Sequence, residues 1–183
     1  MAAWKKKRQI MGRYNTTAES YEEQYANEQR GKHRKALENL EISGKNLLDV
    51  GCGSGLFFKE VAAQAQLLVG VDVSLKLLRK ASNQAKKFPA VFVVQADADH
   101  LPFPAEFFGG IFAFTVLQNM PKPAQTLAEL KRVGVVGSRI VATGLKKPFT
   151  IDKFMDLLED SGMQVEAFID DEVINCYIAV LSA

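Results

Sequence analysis

The run Leu47-Leu48-Asp49-Val50-Gly51-Cys52-Gly53-Ser54-Gly55 decides the fold. A short apolar strand ends in three glycines at alternate positions, and a helical pattern begins just beyond. Glycines at such a turn permit dihedrals closed to other residues and let a ligand approach the backbone with no Cβ in the way. The helix that follows offers free N–H groups at its start. The spacing is G-x-G-x-G, with Leu56 where a dinucleotide fold would place its third glycine, so a nicotinamide oxidoreductase is disfavoured. A phosphate-binding P-loop would need Gly-Lys-Ser/Thr, which does not occur here.

Outward from this turn the chain alternates. Candidate strands are 46–50, 67–73, 91–95, 111–116 and 139–143, each short, apolar and rich in β-branched residues. Helical spacing fills the intervals 56–64, 75–87 and 123–133. That order predicts right-handed βαβ units and a parallel sheet covered on both faces. The tail breaks the rhythm. A helix over 151–160, with Thr150 as N-cap and Gly162 past its end, leads to strands 164–169 and 173–181, close enough to pair as an antiparallel hairpin. The expected architecture is α/β: seven strands, mostly parallel, doubly wound and Rossmann-like, with a C-terminal antiparallel hairpin. One domain spans 1–183, divided into a helical segment over 1–43 and an α/β core over 44–183.

Two acidic residues sharpen the reading of the glycine turn. Asp72 closes the second strand, where a carboxylate can accept both hydroxyls of a ribose. Asp97 closes the third, where it can accept from an exocyclic amine. Both lie, with the turn, at the carboxyl ends of strands, the side on which open α/β sheets bind ligands. A single such residue is explained by capping; the constellation is not.

The segments Leu47–Gly55, Val71-Asp72-Val73-Ser74, Ala96–Phe103 and Phe112–Asn119 resemble, in order and spacing, the successive motifs of class I S-adenosylmethionine-dependent methyltransferases. The resemblance runs from Lys45 onward and is greatest to the group that includes ubiquinone-biosynthesis and tRNA-modifying enzymes. Arg13–Tyr21 is similar to that group's opening "YDxxAxxY". The resemblance implies S-adenosylmethionine as cofactor, with S-adenosylhomocysteine as product. It assigns Gly51, Cys52, Gly53 and Gly55 to the methionine and ribose region, and Asp49 to orienting the turn and the cofactor's amino group. Asp72 would hold the ribose hydroxyls, and Val73 and Leu77 would contact the adenine. Asp97 and the Ala98 N–H would read the adenine edge. Thr115 would line the pocket near the methionine end, with Tyr14 and Tyr21 in the lid. Three departures stand out: Gly109 replaces an acidic residue before the fourth strand, 135–138 replaces "KPGG", and Asn119 stands where relatives often carry His. The alternative to a methyltransferase is a cofactor-binding scaffold or regulatory subunit without chemistry.

Composition limits the remaining classes. The 183 residues carry 23 basic and 21 acidic side chains, a net charge of +2 that favours no partner class. The one basic cluster, Lys5-Lys6-Lys7-Arg8, reads as a solvated tail, although with Arg13, Arg30, Lys32, Arg34 and Lys35 it keeps RNA open as an acceptor beside small molecules and proteins. Cys52 and Cys176 match no zinc spacing, and no metal site is expected. Nothing resembles a secretory signal or a membrane span, so a cytoplasmic protein, monomer or homodimer, is expected. No catalytic residue is identifiable, and His33, in a polar helix, is expected to be exposed. In the strand order that the resemblance implies, the apolar run 91–94 falls at a sheet edge, which some RNA- and protein-modifying relatives cover with a small activating partner.

Overall fold

The computed structural model describes residues 2–17, 21–38 and 40–183; the side chains of 2, 3, 17 and 21–27 are outside that set. Two helices, α1 (Ala2–Thr17) and α2 (Tyr21–Leu37), precede the sheet. The strands are β1 (Asn46–Val50), β2 (Leu67–Asp72), β3 (Val91–Gln95), β4 (Phe108–Ala113), β5 (Gly134–Leu145), β6 (Gln164–Asp170) and β7 (Cys176–Ser182). Their order is β3-β2-β1-β4-β5-β7-β6, parallel through β5, with β7 antiparallel between β5 and β6. The strand order reverses between β1 and β4, which opens a crevice above their carboxyl ends.

The remaining helices, α3 (Phe58–Val61), α4 (Leu75–Ala85), α5 (Pro123–Val133) and α6 (Ile151–Glu159), cover the two faces. Leu48, Val50, Ile111, Leu127, Leu130 and Ile140 are among the core residues on one side; Leu47, Phe58, Leu78, Phe112 and Val141 are among those on the other. Burying both faces explains why the central strands are continuously apolar rather than alternating. α4 and α6 start where side-chain oxygens satisfy free N–H groups: Ser74 Oγ accepts from Leu77 N–H, and Thr150 Oγ1 accepts from Lys153 N–H.

Three expectations need correction. The fourth strand begins at Phe108 and ends at Ala113, three residues ahead of the expected span. Gly109-Gly110 resembles a turn in sequence, yet a Cβ at Gly110 would lie 2.8 Å from Leu47 Cδ2, so glycine is there to let β1 pack close. The helix expected over 56–64 shrinks to four residues. Phe57 gives it no side-chain cap, and the N–H of Gln64 bonds the Val61 carbonyl three residues back, tightening the end. The basic cluster is no tail: α1 is a formed helix, with Lys5, Lys6 and Arg8 exposed and Lys7 buried. The segment Thr16-Thr17-Ala18-Glu19 also reads as an N-cap with Glu three residues on; Thr16 and Thr17 instead end α1, and Ala18 and Glu19 lie outside the described residues.

Candidate functional site

The crevice above β1 and β4 is a cleft of about 740 Å³ including its open mouth. Its walls bring together Gly51, Gly53, Asp72, Val73, Leu77, Asp97, Ala98 and Thr115, eight of the residues singled out from sequence. Tyr14 roofs it from α1, with Ile10 and Lys7 one and two turns earlier on the same helix face. Tyr21 opens α2, and its side chain is outside the described set.

The glycine turn is shaped by its neighbours. Gly51, Gly53 and Gly55 all adopt left-handed φ, at 73°, 57° and 84°. A Cβ on Gly51 would sit 2.6 Å from Val116 Cγ2, so any side chain there is excluded by sterics as well as by dihedral. Gly55 does not line the cleft. Its α-carbon instead makes room for the Phe58 ring, which a Cβ would meet at 2.7 Å. Its contribution to the cleft is therefore indirect, through the seating of α3.

Asp72 straps the turn to β2. Its Oδ2 accepts from Gly53 N–H at 3.0 Å and its Oδ1 from Ser74 N–H at 2.7 Å. Burial pushes its pKa up, and these backbone donors oppose the shift. Asp49 is different. It is 2% exposed, and its Oδ2 has no hydrogen-bond partner. Burial, with a smaller push from the Asp72 charge, raises its pKa to about 8. Asp49 and Cys52 line a smaller recess behind the turn, shared with Gln29, His33, Ser54 and Phe57. Burial also lifts the Cys52 thiol well above its ordinary pKa, which leaves it protonated and inert.

Asp97 does not end β3, which stops at Gln95; it lies two residues on, in a tight loop closed by the His100 N–H on the Asp97 carbonyl at 2.9 Å. Thr115, just past β4, has φ 61°, a strained conformation for a β-branched residue. Its N–H is held by Thr143 Oγ1 at 2.8 Å, and its carbonyl by Asn119 Nδ2 at 2.8 Å. Asn119 Nδ2 also donates to the Tyr14 hydroxyl at 3.1 Å, which fixes α1 over the Thr115 end of the cleft.

Sequence reasoning missed a polar face of α2. Gln29, Lys32 and His33 are all buried, which corrects the expectation for His33. Gln29 Nε2 and Lys32 Nζ each lie 3.4 Å from Thr115 Oγ1, and Lys32 pairs with Glu28 at 2.8 Å. His33 Nδ1 faces Glu60 Oε1 at 3.1 Å, and its ring packs on Phe57 and Phe114. The spacing 29, 32, 33 was the available signal: three polar groups one turn apart share a face. Also missed was Asp99, 6% exposed, whose Oδ1 accepts from the buried Thr126 hydroxyl.

This chain belongs to the methyltransferase domain family, whose model matches residues 48–142, just over half of its length. S-adenosylmethionine is the cofactor this membership brings. A demethylmenaquinone methyltransferase of Tropheryma whipplei is 31% identical over 116 residues, 63% of this chain and 48% of that one. A malonyl-[acyl-carrier protein] O-methyltransferase of Legionella pneumophila is 35% identical over 115 residues, 60% of this chain and 39% of that one. This chain thus spans less than half the length of these curated relatives. Among solved structures, an Aquifex aeolicus SAM-dependent methyltransferase superposes with TM-score 0.72 at 20% identity, over 81% of this chain and 88% of that one. The methyltransferase solved with the Haloferax volcanii Trm112 methyltransferase activator gives 0.78 at 16% identity, over 93% and 97%. These likenesses show the fold.

The cleft fits the cofactor on its own terms. A buried carboxylate oxygen without a partner, at Asp49, suits an ammonium group. Gly51 and Gly53 line the cleft without side chains, which suits close approach of a ligand to backbone. Among the described residues no group of His, Cys, Asp and Glu could hold a metal ion, and no helix is long and apolar enough to cross a membrane.

Proposed function

We propose that this chain transfers a methyl group from S-adenosylmethionine to an acceptor that enters beside α1. The carrying observation is the meeting of the glycine turn, Asp72, Asp97 and Thr115 around one cleft, with Asp49 Oδ2 unpartnered behind it. The fold alone would not suffice, because the [4+2]-cyclase SpnF shares it with TM-score 0.71 at 23% identity over 78% of this chain and 60% of that one.

In this reading Asp72 takes the ribose hydroxyls, Asp97 and Ala98 the adenine edge, and Val73 and Leu77 the adenine face. Gly51, Gly53 and Asp49 take the methionine end. The bound cofactor supplies a methyl that is already electrophilic, so the chain has only to align the acceptor and exclude water. Ile10 and Tyr14 exclude water from above. Asn119 orders the mouth: its amide donates to Tyr14, and its carbonyl accepts from Arg13 Nη2 at 3.3 Å. None of these residues serves as a base, which suits an acceptor already deprotonated at working pH. Residues 1–43 form the lid and acceptor wall. Exposed Lys5, Lys6 and Arg8 on α1 support RNA as the first acceptor class to try. The test is incubation with radiolabelled cofactor and separated RNA, protein and small-molecule fractions. Label in any fraction supports the activity, and label in none supports a scaffold.

A small protein partner at β3 belongs to the same proposal. β3 is an edge strand, paired only with β2, and Phe92 stands 55% exposed on it. α4 packs against β3 and leaves that side chain uncovered. The fold neighbour from Haloferax volcanii was solved with an activator, which supports looking for one here. Co-expression that raises solubility or activity favours the partner; full activity of the isolated monomer rejects it.

A further inference from the structure

The ion pair between Lys7 and the loop after β3 has no role in the function proposed above. Lys7 Nζ lies 2.7 Å from both oxygens of Asp97 and 2.5 Å from Asp99 Oδ2. Three acceptors use all three ammonium protons. The pair is no surface ornament: the Lys7 side chain is 10% exposed and that of Asp99 5%. Burial alone would lower the Lys7 pKa, but hydrogen bonds to the two carboxylates outweigh it and leave the pKa above the ordinary lysine value. The other end of α1 is fastened too, where the Ser74 hydroxyl donates to Asn15 Oδ1 at 2.6 Å.

Asp97 is thereby largely committed. Its Oδ1 accepts both Lys7 and the Asp99 N–H, the latter at 3.1 Å, and its Oδ2 accepts Lys7 and keeps one acceptor position. On the reading of Asp97 as the acid that meets the adenine amine, that amine must displace or crowd the Lys7 ammonium, which spans both oxygens and lines the same cleft. We propose that Lys7 is a latch: it holds α1 shut over the cleft by occupying the carboxylate that the cofactor's base must reach, so base and helix compete for Asp97. Entry of the cofactor then releases the first turns of α1, and the acceptor side opens only after the donor site is filled. The inference rests on the functional reading above but concerns its regulation.

Trp4, the single tryptophan, sits on α1 and half-exposed, and reports the helix directly. The experiment follows Trp4 anisotropy and calorimetric binding of S-adenosylhomocysteine to the full chain and to Lys7→Met. The latched state taxes apparent affinity by its population, so Lys7→Met is expected to bind about tenfold tighter. Its Trp4 anisotropy should already be low without ligand, whereas the parent chain should show the drop only on binding. Asp99→Asn, which keeps an acceptor for Thr126, should shift both readouts the same way by about threefold. Unchanged or weaker binding by both variants, with the parent binding normally, overturns the latch alone. A parent chain that binds no S-adenosylhomocysteine overturns the functional reading and the latch with it.

Discussion

The glycine turn and α1 meet at the same cleft, yet they are held by different physics. The turn is rigid because its neighbours leave no alternative. Gly51 has Val116 against its α-carbon, Asp72 ties Gly53 to β2, and the strands beneath are fully buried. α1 is held by polar contacts with partners 59 to 106 residues away, among them Lys7 with Asp97 and Asp99, Arg13 and Tyr14 with Asn119, and Asn15 with Ser74. It has few core contacts to lose, so it should open at a free energy well below that of global unfolding. A site built half from a rigid loop and half from a polar strap can bind tightly and still admit a ligand.

The largest effect expected is at the turn. Gly51→Val places branched carbons where Val116 already sits and forces a left-handed φ on a β-branched residue. Cofactor binding should vanish in calorimetry, and retained binding would place the ligand elsewhere. Asp72→Ala comes next. It removes the proposed ribose acceptor and also the strap on Gly53 and Ser74, so affinity should fall by at least about tenfold, with a drop in Tm from the two lost hydrogen bonds. A near-normal dissociation constant would contradict the ribose assignment.

Asp49 sharpens the contrast through pH. Burial lifts its carboxyl to a pKa of about 8 in the folded chain, against the usual aspartate value of 3.8. Between those values the unfolded chain releases the proton that the native chain keeps, so this residue's contribution to stability is complete below the lower value and is lost as pH rises toward the upper one. Asp49→Asn should remove that slope and stabilise the unliganded chain at pH 8 by the order of a few kcal/mol. Denaturant midpoints at pH 5 and pH 8 measure it, and parallel behaviour of both proteins would show that Asp49 is ionised throughout. A more stable protein that binds its cofactor worse would mark Asp49 as a residue kept for binding at a cost in stability.

The same contrast governs what could be read from sequence. Strand ends are fixed by hydrophobic runs, and the topology then dictates that Gly51, Asp72 and Asp97 share one rim. Local pattern therefore predicted a tertiary arrangement. α5 over 123–133 was legible for the same reason, with Pro123 at its first turn and Gly134 at its end. Lys7, Lys32 and His33 were not legible, because burial of a charged helical residue depends on a partner whose distance in sequence is arbitrary. Lys7 finds Asp99 at 92 residues' remove, and nothing in Lys-Lys-Lys-Arg marks the third lysine as the one facing inward. The β4 boundary failed for a third reason. Glycine signals both turns and close packing, and only the neighbouring strand tells which.

The smallest expected effect separates the two regions most cleanly. Asn15→Ala removes one hydrogen bond, to Ser74, which keeps its other role as the cap of α4 through the Leu77 N–H. The net loss should be about 1 kcal/mol, equivalent to about a fivefold rise in the population with α1 open. If α1 opens independently of the core, limited proteolysis within residues 2–17 should accelerate by that factor while global Tm stays put. If α1 and the sheet instead form one cooperative unit, Tm falls and the cleavage rate at α1 tracks it. Lys7→Met in the same assay should give the larger acceleration, since it removes three contacts from the same helix rather than one. The two variants together therefore grade the strap contact by contact, on a scale that does not depend on any ligand.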